Sequence, residues 1–253
     1  RMTNNHDKKL AYLKTTSYKP SDWGGDVLTD FLQTAENNSV ARFANRPEDF
    51  ALLAEIDAIF RLVVDSLDNT PEWFEAFFLL RSHSAYLATV RLAASGQATE
   101  SYATSRQCLE FALYGFYLFR HKNLQKDWLS RTESEAARDK VRRIFKTKDM
   151  FAQLNADDPK HGKAAKALYE RTIDYGAHPN EQAITTTMKF VHEDKKRIMQ
   201  ALYMHGDDNQ TQVASKTAAQ VGVTSICIFR NVFKHRYDII GVTDKLDTIK
   251  KKL

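Results

Sequence analysis

Near the C-terminus, three side chains have the types and the spacing for phosphate chemistry. In the stretch CIFRNVFKHRYD, residues 227–238, Arg230, Asn231 and His235 fall within six positions of an otherwise apolar run. A guanidinium stays charged and offers paired donors that match a phosphate, and an imidazole exchanges a proton near neutral pH. On a continuous helix Asn231 and His235 stand at i and i+4 on one face. Arg230, about 100° further around, is long enough to point into the same patch.

A second polar cluster lies in a very apolar region. Arg106 and Glu110, at i and i+4, bring guanidinium and carboxylate within reach of each other. An antiparallel partner helix would set His83, Tyr86 and Arg91 at about the same height. Charges in the centre of a bundle must be paired. The cluster therefore reads as an ion pair fixing helix register, or as a polar pocket for a small or phosphorylated ligand. His178, in the turn DYGAHPN, is a loop histidine that is either solvated surface or part of such a site. His192, Glu193 and Asp194 lack ligand spacing, so no metal is expected. The chain has no phosphate-binding glycine loop, no G-x-G-x-x-G and no G-x-S-x-G, so no cofactor is expected either.

The elements that must position these residues are helices, and the fold class is all-α. Residues 26–37 and 46–67 carry apolar residues every three or four positions, predicting two helices with one buried face each. Thr70, Pro71 and Glu72 read as the cap and first turn of a helix ending at Gly96. A second apolar helix over 99–123 follows after a short connection. These two form the long antiparallel hairpin around which a multi-helix bundle is built. Residues 127–151 read as a charged, exposed helix, 155–163 as a loop, and 164–176 as a helix stopped by Gly176. The β-branched run 183–191 fits a short strand, a hairpin or a helix start. Helix is expected again over 194–205, and a last helix over 211–240 with Gly241 as its stop. Residues 1–22 read as a loosely held arm and 23–253 as one domain, with 152–162 as the place where two helical halves would divide.

Hydrophobic residues make up 43% of 253, and Gly and Pro together are few, so the chain can bury a large core. Cys108 and Cys227 lie far apart with no C-x-x-C pair, which fits a reducing compartment. The longest apolar-aromatic run, residues 111–119, is nine residues long against the roughly 20 needed to cross a bilayer. A soluble, cytoplasmic protein with no membrane partner is the expectation. Charge is uneven: residues 1–80 carry 8 Lys/Arg and 13 Asp/Glu, and 81–253 carry 29 and 19. The basic runs at 138–148, 195–197 and 250–252 suit RNA or another polyanion, or are solvated faces.

R-x4-6-H occurs three times, from Arg1, Arg171 and Arg230, and only after Arg230 does a polar Asn follow directly. This R-N-x3-H pattern in a late helix resembles the signature of the HEPN superfamily of all-α proteins. The resemblance implies metal-independent RNA cleavage, with Arg230 stabilising the phosphate, His235 moving the proton of the 2′-hydroxyl and Asn231 orienting them. It also implies a homodimer that brings two motifs together. From the residues alone, a helical interaction module without chemistry and a small-ligand binder at the hairpin stay open beside it.

Overall fold

The computed structural model describes residues 19–193 and 196–253, so most of the arm read over 1–22 lies outside the described residues. The expected apolar hairpin forms from α3 (Trp73–Ser95) and α4 (Ala98–Arg120). Its turn is Gly96, at φ 91°, where the amide of Gly96 donates to Ala93 and that of Gln97 to Leu92. This closes α3 in a left-handed stop that a side chain resists. Its start is less simple: the helix begins at Trp73, while Thr70 Oγ1 accepts the amide of Glu72 in the preceding turn.

A long helix, α10 (Asn209–Arg230), packs across both arms of this hairpin and is buried along most of its second half. It comes in close because position 222 has no side chain: a Cβ there would lie 2.7 Å from the Tyr86 ring and 2.8 Å from Ile56. Around this trio stand α1 (Val27–Asn45) and α2 (Pro47–Asp65), then α5 (Gln125–Leu129), α6 (Glu135–Ile144), α7 (Thr147–Asp157), α8 (Pro159–Thr172) and α9 (Glu181–Thr185). Two short helices, α11 (Lys234–Ile239) and α12 (Val242–Lys250), close the chain. The protein is thus a mostly helical, all-α bundle, and one apolar core runs from Leu53 in α2 to Ile249 in α12 with Leu154 and Leu168 inside it. No helix among the described residues is long and apolar enough to cross a membrane.

Several expectations need correction. Helix α2 buries the expected face, but α1 does not: Val27 and Leu28 are 90% and 66% exposed, and its buried residue is Arg42. That guanidinium is held by Asp207 at 3.1 Å, by Ser215 at 3.2 Å and by Thr211, so α1 is anchored by a paired charge and not by its apolar stripe. The single helix read over 127–151 is divided, because Ser134 caps a fresh start at α6 and Phe145 turns inward. The loop read over 155–163 is mostly helix: α7 ends at Asp157, and Asp158 with Pro159 starts α8 directly. Helix does not resume over 194–205. Strand β1 (Met188–Glu193) pairs antiparallel with β2 (Lys196–Ala201), from Met188 opposite Ala201 to Glu193 opposite Lys196. Every residue of β2 is exposed, and the Arg197 guanidinium lies 3.9 Å from the centre of the Phe190 ring.

Candidate functional site

The last helix read over 211–240 breaks at 231–233. The phenol of Tyr237, fully buried, donates to the carbonyl of Ile226 at 3.0 Å. Eleven residues of straight helix would separate those positions by roughly 16 Å along the axis, so the chain has to turn back. Phe233, at φ −108° and ψ 37°, carries the break. Arg236 is drawn to the end of α2, where it donates to the carbonyls of Ser66 and of Asp68. Those carbonyls lack intrahelical partners, which a cation satisfies well.

The break separates the three motif residues. Arg230 ends α10, Asn231 occupies the turn, and His235 lies exposed in the first turn of α11. Asn231 does not orient His235; its amide donates to Asp158 Oδ2 at 3.2 Å and to the Cys227 carbonyl at 3.4 Å. Asp158 is the N-cap of α8: Oδ1 accepts the backbone amide of His161 at 3.3 Å, and Oδ2 lies 2.8 Å from His161 Nδ1. One carboxylate therefore ties the end of α10 to the start of α8.

Electrostatics set the state of this cluster. Burial works to raise the Asp158 carboxyl, but hydrogen bonds from His161 and Asn231 outweigh it and hold the group below its ordinary range. Burial also depresses His161, the pairing with Asp158 opposes this, and the positive charges of Lys250 and Arg230 depress it further. Near neutral pH the imidazole is uncharged, with its Nδ1 proton directed at Asp158 and a lone pair on Nε2. That Nε2 is buried and has no hydrogen-bond partner among the described residues. The Cys227 thiol is pushed up by burial, against the pull of Lys250 and Arg230. Arg230 itself is half-buried and makes no hydrogen bond or ion pair with any described residue. Sequence reasoning missed Asp158 and His161 by placing them in a loop, although Asp-Pro-x-His is a readable helix start with a cap and a third-position partner.

The residues grouped at the hairpin separate in the same way. His83 Nε2 lies 2.6 Å from Asp57 of α2, and its ring stacks on Phe60 at 4.9 Å. Burial acts to raise the Asp57 carboxyl, but His83 and Arg61 together hold it low. The buried Tyr86 hydroxyl donates to the Leu53 carbonyl at 2.8 Å, and burial raises its phenol well above the ordinary value. Arg91 is exposed. Arg106 and Glu110 do pair, at 2.9 Å, but they meet α8: the Tyr169 hydroxyl donates to the same Glu110 Oε1 at 3.0 Å, and the Arg106 guanidinium stands 5.0 Å from the Tyr169 ring centre. Equal height on two helices did not imply one face, because His83 and Tyr86 point to α2 while Arg106 and Glu110 point to α8. His178 is exposed, with Nδ1 3.3 Å from the Pro179 carbonyl.

Comparison of the chain with protein-family models, with curated proteins and with solved structures finds no match.

Proposed function

We propose that this protein binds RNA at the corner where α10 ends and α8 begins, with Arg230 contacting a backbone phosphate. One observation supports the reading: a half-buried guanidinium is kept without a carboxylate, although Asp158 stands in the same cluster, committed to His161 and Asn231. A charge even partly withdrawn from water and left unpaired carries a desolvation cost. An incoming phosphate removes that cost and accepts two parallel hydrogen bonds from the fork. Lys160, Lys163 and Lys234, all exposed, are sequence neighbours of these residues and add sequence-independent attraction to a polyanion.

Cleavage by the HEPN-like route, which needs Arg230 and His235 to reach one phosphate across the break at 231–233, assigns the proton transfer to His235, which is open to solvent, and not to the buried His161. His235 takes the 2′-hydroxyl proton, the 2′-oxygen attacks phosphorus, and the 5′-oxygen leaves with a proton from water, giving a 2′,3′-cyclic phosphate. Arg230 stabilises the charge that grows on the phosphoryl oxygens. The test is titration of a labelled single-stranded RNA with wild type, Arg230→Ala and Arg142→Ala, followed by incubation in EDTA with His235→Ala alongside. Arg230→Ala is expected to weaken binding about 10-fold, as loss of one charge-assisted phosphate contact does, and Arg142→Ala far less. Equal affinity of Arg230→Ala and wild type would end the binding assignment. Cyclic phosphate ends formed equally by His235→Ala and wild type would end the catalytic one.

A further inference from the structure

A cleft of about 610 Å³ opens beside the middle of α4, between that helix, the start of α3 and the α5–α6 segment. Its volume is that of a small-molecule site. Five aromatic side chains border it, Phe78 of α3 among them. Phe111 and Tyr114 come from α4, Trp128 from α5, and Phe145 from the end of α6. Tyr114 and Phe145 stack at 5.7 Å with their planes 13° apart, and Trp128 is braced edge-on by Phe78 at 5.2 Å, so the walls are fixed and flat.

Two charged side chains in this cleft keep a donor or an acceptor without a partner among the described residues. Glu110 receives Arg106 and Tyr169 both on Oε1, which leaves Oε2 without a hydrogen bond among the described residues. Arg131 makes no ion pair or hydrogen bond among them, and its charge reaches the Tyr114 phenol. Burial raises that phenol, the Glu110 charge raises it further, and Arg131 opposes both. The cleft thus holds a fixed acceptor and a free cation, with aromatic faces beside them.

We infer that the cleft is a binding site for a planar heteroaromatic acid, whose ring N–H donates to Glu110 Oε2, whose ring stacks on the aromatic walls and whose carboxylate or phosphate pairs with Arg131. None of these residues belongs to the proposed RNA contact, so the inference stands or falls separately. A carboxylate oriented by two donors on one oxygen is a strong acceptor on the other. A flat ring gains contact with aromatic walls at little cost in conformational freedom.

The test is calorimetric titration of the full chain with indole-3-acetate, pterin-6-carboxylate and guanosine monophosphate, with naphthalene-1-acetate as the analogue lacking N–H and indole as the one lacking charge. At least one of the three acids is expected to bind below about 1 mM. For that acid, Glu110→Gln is expected to weaken binding about 10-fold while leaving naphthalene-1-acetate unchanged, and Arg131→Ala to weaken both acids about 10-fold while leaving indole unchanged. The exposed Arg131 makes its variant safe for folding. No binding by any of the three acids at that concentration, or binding indifferent to both substitutions, overturns the assignment. Comparing the carboxylate probes with the nucleotide decides which anion the site takes.

Discussion

Replacing Asp158 by Ala removes three things at once: the N-cap of α8, the acceptor for His161 Nδ1 and the acceptor for the Asn231 amide. A lost cap costs about 1 kcal/mol. His161 Nδ1 left without its partner costs about 1 kcal/mol, and the half-buried Asn231 amide, which keeps its bond to the Cys227 carbonyl, costs about half of that. The expected loss is about 2.5 kcal/mol, which for a chain of this size lowers Tm by roughly 5 to 10 °C. Asp158→Asn keeps the capping oxygen but turns a donor towards His161 Nδ1 and the Asn231 amide, so it is expected to lose only about 1 kcal/mol less than Asp158→Ala. Thermal unfolding followed by circular dichroism measures both. If Asp158→Ala melts within about 2 °C of wild type, the carboxylate does not tie the two helices together. The same cluster predicts a pH dependence. Native His161 titrates below its ordinary 6.5, so between that value and its lower native one the unfolded chain holds a proton that the folded chain lacks. Stability therefore falls on acidification from about pH 6.5 and levels off once native His161 is protonated. His161→Gln is expected to flatten that segment, and an equally steep profile would contradict the assignment. Asp158 adds a separate loss only below its ordinary 3.8.

Gly96→Ala is expected to destabilise by at least about 2 kcal/mol in urea unfolding, because φ is positive and the new Cβ would stand 2.1 Å from the His205 carbonyl oxygen. Gly206→Ala, with nothing within 4 Å of its Cβ, is the control and should change little. Both thiols should resist a thiolate-selective disulfide reagent in the native protein and react after denaturation. Cys108 and Cys227 are buried, and burial pushes Cys108 up to about 11. Rapid native labelling of either would refute this.

What the sequence made legible is what local rules control. The stop at Gly96 and the Arg106–Glu110 pair follow from single-residue conformational preference and i,i+4 geometry, and both are present. The break after Arg230 was not legible, because its cause is the bond from Tyr237 back to Ile226, and the helical periodicity runs through it unchanged. The strands at 188–201 were only half legible. Residues of a ribbon exposed on both faces need no alternation, so β2 carried none of the period-two signal that a half-buried strand shows. The exposed stripe of α1 misled for the complementary reason: Val27 and Leu28 have helical spacing, yet the helix is fastened through Arg42. At the candidate site Arg230 and Asn231 were found from their types, while Asp158 and His161 come from distant sequence and enter only through the fold.

A phosphate meeting Arg230 is the central contact of the proposed site, and the salt dependence of RNA binding measures that contact most directly. Affinity of wild type and Arg230→Ala for the same single-stranded RNA would be determined across a range of salt concentrations, and log K plotted against log salt. Loss of one phosphate contact should make the slope shallower by about 0.7. A slope unchanged in Arg230→Ala would place the phosphates elsewhere and contradict the proposed site.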